Sequence, residues 1–302
     1  PHLHRTTSMT NRAASHAGSW YSANSTELEA QLTGWLADAE VSCGTARAVI
    51  APHAGYSYSG PTAAYAYRHV QCDGIKRVFV LGPSHGMYTP KCLLSKCKAY
   101  STPLGSLTID QAVYEQLAAT GHFDEMDLAV DEREHSLEMH LPYIAHLMRG
   151  RPCTIVPIMV GALSEAAEAR YGKLLAPYLA DPANFFVISS DFCHWGERFG
   201  FNYYDKCHGC EIYQSIEALD RQGMALIEAQ DAARYAHYQR QYSNTICGRH
   251  PIAVLLRALA ALPNVDPNLP EHHVKFVKYA QSSRCRRPDD SSVSYASAIV
   301  WI

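Results

Sequence analysis

Phe185-Phe-Val-Ile-Ser189, running directly into Ser190-Asp191-Phe192-Cys193-His194-Trp195, decides the fold. A short, continuous apolar run rich in Val, Ile and Phe reads as a strand buried on both faces, and polar residues end it abruptly. The pattern recurs upstream. Ala46–Ala51 (ARAVIA) runs into Pro52-His53-Ala54-Gly55-Tyr56, and Arg77–Leu81 (RVFVL) passes through Gly82 into Pro83-Ser84-His85. Thr154–Val160 (TIVPIMV) is a fourth such run, and Val274–Ala280 and Ser294–Ile302 predict late strands added to the same sheet. Between the strands lie helical patterns. The clearest starts at Thr26, where Thr26 and Glu29 have capping-box spacing and Leu28, Leu32, Trp35 and Leu36 share one face. Leu163–Leu179, Glu211–Ile227 and Pro251–Leu262 predict three more. Alternating strands and helices imply an α/β fold with a central mixed sheet flanked by helices. With no linker, repeat or composition shift, residues 9–302 read as one domain, and residues 1–8, ahead of Met9, as an expression-derived or extended tail.

Composition narrows the function. The 302 residues are 47% hydrophobic and 18% charged, enough apolar material for a full core. A formal net charge of −3 lacks the basic footprint of nucleic-acid binding. No apolar stretch nears the roughly 20 residues that span a bilayer, and the N-terminal segment carries no secretory h-region. Ten scattered cysteines fit reduced thiols. The expected location is therefore the cytoplasm, with the nucleus as a further site.

In an open α/β sheet, ligands bind beyond the carboxyl ends of the strands. Three such ends each deliver a histidine (His53, His85 and His194), and one also delivers Asp191, which together suggest a metal or catalytic cluster. A fourth segment, Asn244-Thr-Ile-Cys247-Gly-Arg249-His-Pro251, precedes a helix. Both the helix end and Arg249 favour a thiolate at Cys247, suited to metal ligation or redox chemistry. His135-Ser-Leu-Glu138-Met-His140 is not the zinc-protease helix, because its histidines are five positions apart instead of four; His135, Glu138 or His140 can still border a pocket. Cys207-His-Gly-Cys210 lacks the context of a thioredoxin-like motif, and Gly55-Tyr-Ser57-Tyr-Ser59 misses the final glycine of a nucleophile elbow. Neither phosphate-binding glycine motif is present, so no nucleotide cofactor is expected.

Taken in order, His16-Ala-Gly-Ser-Trp20-Tyr21, Ala51-Pro-His53-Ala-Gly-Tyr56, Leu81-Gly-Pro-Ser-His85, Glu134-His135-Ser-Leu-Glu-Met-His140, Ser190-Asp191-Phe-Cys-His194-Trp195-Gly196 and Asn244-Thr-Ile-Cys247-Gly-Arg-His250-Pro resemble the Memo family. The resemblance implies a fold similar to that of the class III extradiol dioxygenases, non-haem iron enzymes that open catechol rings. It also implies roles in cell motility downstream of ErbB-type receptor tyrosine kinases and in iron, copper and redox handling. By residue match the metal ligands would be His53, His85 and Cys247. Asp191 and His194 would stand alongside, His194 matching the dioxygenase acid/base position. Cys247 replaces the dioxygenase carboxylate, and a softer, oxidisable thiolate argues against ring opening. The implied cofactor is an iron or copper ion. A rim of Trp20, Tyr56, Tyr58, His140 and Arg198 would meet a phosphotyrosine-containing receptor or adaptor peptide or a small ligand, core packing being the alternative for the aromatic residues. The other function considered is an active metal-dependent oxidoreductase with His194 as base.

Overall fold

The computed structural model describes residues 10–41, 44–205, 209–262 and 273–302; the expected tail 1–8 and Cys207 lie outside the described residues. The first half comprises α1 (Ser25–Asp38), β1 (Ala48–Ala51), α2 (Tyr56–Tyr67), β2 (Arg77–Pro83), β3 (Cys92–Ser95), β4 (Ala99–Thr102), β5 (Gly105–Thr108), α3 (Gln111–Ala119), β6 (Phe123–Met126), α4 (Leu128–Arg133), α5 (His135–Glu138) and α6 (Leu141–Leu147). The second comprises β7 (Thr154–Val160), α7 (Glu165–Ala180), β8 (Asn184–Ser189), β9 (His194–Trp195), α8 (Ile212–Glu228), α9 (Ala232–Tyr242), α10 (Arg249–Leu259), β10 (His273–Gln281) and β11 (Ser292–Trp301).

The main sheet has the order β10-β11-β1-β8-β2-β7-β3-β6, with β9 paired to β11, while β4 and β5 form a separate hairpin. Its centre, β1-β8-β2-β7, is parallel, with Ala51 opposite Ser189 and Leu81 opposite both Ile188 and Ile158. β11 and β3 join antiparallel on either side, so the sheet is mixed. All of β1 and β8 is buried, as parallel strands covered on both faces must be. Helix α2 packs on β1, β10 and β11, and α7 and α10 pack together over β8. Gly172 lets them meet, since a Cβ there would lie 2.5 Å from the Arg257 Cβ.

The strands expected from apolar runs all form, within a few residues of their expected bounds. Helix α1 forms too, but its cap is Asn24, whose side chain accepts from the Glu27 backbone, and not the Thr26/Glu29 box. Leu28, Leu32 and Leu36 are buried as the periodicity requires, each contributing about 1.5–3 kcal/mol. Among the described residues no helix is long and apolar enough to cross a membrane.

The segment before α1 is tied down by charge. Arg12, fully buried, donates from Nε to Asp131 Oδ1 at 2.9 Å and from Nη1 to Glu138 Oε2 at 2.6 Å. Glu138 also accepts from His16 Nδ1 (2.8 Å) and the Tyr21 hydroxyl (2.8 Å), so one carboxylate fixes the chain on both sides of Trp20.

Candidate metal centre

Strands β1, β8 and β2 are neighbours and parallel, so their carboxyl ends bring His53, Asp191 and His85 to one edge of the sheet. Buried His53 bonds through Nδ1 to Ser189 Oγ at 2.6 Å, and Ser189 spends its one proton on the Ser136 carbonyl at 2.7 Å. Nδ1 must therefore be the donor, leaving the Nε2 lone pair directed at Cys247 Sγ, 3.2 Å away. Burial, followed by the charges of His85 and His135, holds the His53 pKa well below the usual imidazole range, so the ring stays neutral.

His85 is gripped by Glu134, whose carboxylate accepts from both its Nδ1 (2.8 Å) and its backbone N–H (2.6 Å). Burial opposes a charge on this ring, but hydrogen bonds to Cys247 and Glu134 outweigh it and raise the pKa to about 10. Glu134 responds in the opposite sense: burial pushes it up, and the His85 bonds bring it down to about 2. His135 opens α5 and stacks on His85, with ring centroids 4.4 Å apart, and meets His53 edge-on at 5.3 Å. Burial and the neighbouring His85 lower its pKa to about 4.

His53, His85 and His135 each offer a ligand atom, all within 4.8 Å of one another, and this group can hold a metal ion. Cys247 reaches it because Gly248 lies hard against the end of β8, where a Cβ would sit 2.3 Å from the Ser190 Cβ and 2.4 Å from the Ser189 carbonyl oxygen. The thiol bonds to His85, yet burial raises its pKa; the thiolate expected from the helix end and Arg249 is overridden, because Arg249 is exposed and the sulfur is not. The donor set suits a metal nonetheless: a neutral His53 with its outer nitrogen occupied by Ser189, a His85 held by Glu134 that ligates on losing a proton, and a sulfur that becomes a thiolate ligand on losing its own.

Asp191 accepts the His53 backbone N–H at 2.8 Å, clamping the turn after β1, and its burial raises its pKa. His194 is half-buried, with Nδ1 lying 2.9 Å from the Phe192 carbonyl and 3.0 Å from that of Thr245. Carbonyls only accept, so Nδ1 carries the proton and Nε2 is the basic nitrogen.

The residues expected at the rim divide into two groups. Trp20 is 36% exposed with its ring 4.4 Å from that of His135, and Tyr58 is 62% exposed. Arg198 is exposed, its guanidinium 4.4 Å over Phe199. Trp20 and Tyr58 flank Gly55, while Tyr58 and Arg198 both lie within electrostatic reach of Tyr295. Tyr56 and His140 are corrections: both are buried in the core. Tyr56 donates to the Met139 carbonyl at 2.7 Å among the rings of Tyr21 and Tyr143, because the first residue of α2 turns inward. His140 takes the Tyr67 hydroxyl at 2.9 Å, and burial lowers its pKa to about 3. The five-residue spacing that excludes a shared helix face leaves His135 at the cluster and His140 in the core. Glu134 and Ser189, which orient the His85 and His53 rings, were not among the expected site residues; for Glu134 the adjacent His135 was the available signal.

A family model described as Memo-like protein matches residues 12–299. The chain is 55% identical over 300 residues to Protein MEMO1 of Xenopus tropicalis, covering 97% of this chain and 100% of that one. It is 52% identical over 293 residues to Protein MEMO1 of Homo sapiens, covering 96% and 97%. Among solved structures, an uncharacterized protein from Escherichia coli K12 superposes with a TM-score of 0.50 at 12% identity, covering 82% of this chain and 98% of that one, a likeness of fold alone.

Proposed function

The chain belongs to the Memo family, and on that premise we propose that it is a metal-binding protein of receptor tyrosine kinase signalling, cell motility and redox or metal homeostasis. In this reading iron or copper is held by His53, His85 and Cys247, with His135 beside them. One observation carries it: the free Nε2 of a neutral, oriented His53 faces Cys247 Sγ at 3.2 Å, inside a group of histidine ligand atoms no more than 4.8 Å apart. When bound, the ion supplies one-electron chemistry next to an oxidisable sulfur. The protein's own part is proton handling and orientation. His53 keeps its proton on Nδ1 for Ser189; His85 and Cys247 each give one up; Asp191 holds the His53 turn in place.

Trp20, Tyr58 and Arg198 form the proposed peptide rim, two exposed aromatic rings and a guanidinium suited to the phosphate of a phosphotyrosine. The proposed location is cytoplasm and nucleus. A second reading, a metal-dependent oxidoreductase on a catechol-like substrate, draws on His194, whose Nε2 is basic and unshared with either carbonyl.

Two measurements test these readings. Cys247→Asp keeps a negative ligand but should move affinity from Cu(I) toward Fe(II) or Mn(II), whereas Cys247→Ser should weaken both; unchanged affinities in anaerobic competition titrations would remove Cys247 from the ligand set. Oxygen uptake by the Fe(II)-loaded protein with a panel of catechols should stay at background. Turnover that yields ring-opened product would favour the second reading.

A further inference from the structure

Asp220 is a buried carboxylate outside the ligand cluster. It lies in the middle of α8, on the stripe that also buries Ile216, Leu219 and Met224. Burial pushes its pKa up, and hydrogen bonds from Asn244, Ser294 and Tyr279 hold it at about 6, so the group is ionised at neutral pH. A buried charge is a poor source of stability, since apolar packing of equal volume usually serves as well; what a hydrogen-bonded carboxylate adds is direction.

Its partners lead toward the metal centre. Oδ1 accepts the Cys193 backbone N–H at 3.2 Å and the Asn244 side-chain NH₂ at 3.0 Å, and Oδ2 accepts the Tyr279 hydroxyl at 2.9 Å. Cys193 lies between Asp191 and His194, and Asn244 opens the segment that carries Cys247. One oxygen thus joins two segments of the site while bonding to none of His53, His85, His135 or Cys247. Further along, the same segments are tied to each other. Thr245 Oγ1 accepts the His194 backbone N–H at 2.7 Å, the Gly248 N–H donates to Ser190 Oγ at 3.1 Å, and Cys247 Sγ accepts the Asp191 N–H at 3.2 Å. The two carbonyls against His194 Nδ1 belong to Phe192 and Thr245, each next in the chain to a residue that Asp220 holds.

We propose that Asp220 is a positioning residue of the metal centre: by holding the Cys193 N–H and the Asn244 amide on one oxygen, it sets the place of the Cys247 sulfur and the proton on His194. The bond to Tyr279 anchors the carboxylate to β10, which carries no site residue. Only the effect on metal affinity rests on the function proposed above.

The full chain, metal-free, tests this through two variants that each remove one bond to the carboxylate. Asn244→Ala frees the Cys247 segment, and Tyr279→Phe frees only β10. Asn244→Ala should speed alkylation of Cys247 by iodoacetamide at least tenfold, read by peptide mass spectrometry, and move part of the His194 proton to Nε2, read by NMR of the ring nitrogens. Tyr279→Phe should leave the rate within about twofold and the tautomer unchanged, and Cys92, buried in β3, should keep its rate in both. Asp220→Ala should behave as Asn244→Ala, whereas Asp220→Asn, which keeps the Oδ1 acceptor, should restore both readouts. Loaded with Cu(I), Asn244→Ala should bind about 10–100-fold more weakly than the unaltered protein, as expected when a ligand loses its support.

Wild-type Cys247 reactivity and His194 tautomer in Asn244→Ala would overturn the proposal, as would a Tyr279→Phe protein that shifts as far. So would an Asp220→Asn protein that matches Asp220→Ala, or an unchanged copper affinity in Asn244→Ala where the unaltered protein binds the ion. The comparison of Asn244→Ala with Tyr279→Phe stands even where Asp220→Ala does not fold. Absence of copper binding by the unaltered protein would refute the metal reading, and the two metal-free readouts would still decide the role of Asp220.

Discussion

His53 and His85 are set by the nitrogen that faces away from the cluster. Ser189 fixes the proton of one ring, and Glu134 holds the other by side chain and backbone together. Such outer contacts orient a ligand and set its basicity, and their loss typically costs about 10–100-fold in metal affinity. Glu134→Gln should thus weaken copper or iron binding within that range and bring the His85 pKa down from about 10, read by anaerobic competition and by NMR titration of the imidazole. An unchanged affinity would mean that the Glu134 contact does not set the ligating strength of His85. Much of this was legible as residue types, because three histidines after three apolar runs mark one edge of a sheet. The partners were not legible: Ser189 ends a strand and Glu134 precedes a short helix, and nothing in their spacing ties them to His53 or His85.

At the scale of elements, the approach of the α10 entry to the end of β8 brings sulfur to the histidines. Gly248 is the point of contact, with no room for a Cβ against Ser190 and the Ser189 carbonyl, both backed by strand β8. Gly248→Ala must push the segment away, which should cost about 1–3 kcal/mol in denaturant unfolding and also weaken metal binding by displacing Cys247. A variant of wild-type stability would show that the approach is looser than described. Elements with long apolar runs were readable because burial on both faces leaves a continuous signal, as in β7 and β8. β4, β5 and β6 were not: each has four residues, partly exposed, too short for a period to register. Tyr56 and His140 were misplaced for a related reason, since an aromatic or histidine side chain at a helix start can face the core or the cleft, and only packing against Tyr143 or Tyr67 decides.

Across the whole molecule, burial on one side and hydrogen bonds to Cys247 and Glu134 on the other give the histidines opposing pH effects. His140 at about 3 and His135 at about 4 stay neutral in the fold but take protons near pH 6.5 once unfolded. Their contribution is present above about 6.5 and lost as pH falls below it. His85 runs the other way: with a folded pKa of about 10, it stabilises fully below about 6.5 and loses that contribution as pH rises toward 10. His140→Leu should accordingly flatten the fall in urea stability between pH 6.5 and 4, by up to about 1.4 kcal/mol per pH unit; an unaltered slope would contradict the buried, neutral state of His140. The central claim, a metal held by nitrogen and sulfur at the joined strand ends, is tested most directly by X-ray absorption of protein purified without oxygen or chelator and loaded with copper or iron. We expect a nitrogen shell together with a sulfur scatterer at about 2.3 Å if zinc-like distances apply, and loss of that scatterer in Cys247→Ser. No bound metal, or a shell without sulfur in the unaltered protein, would contradict it.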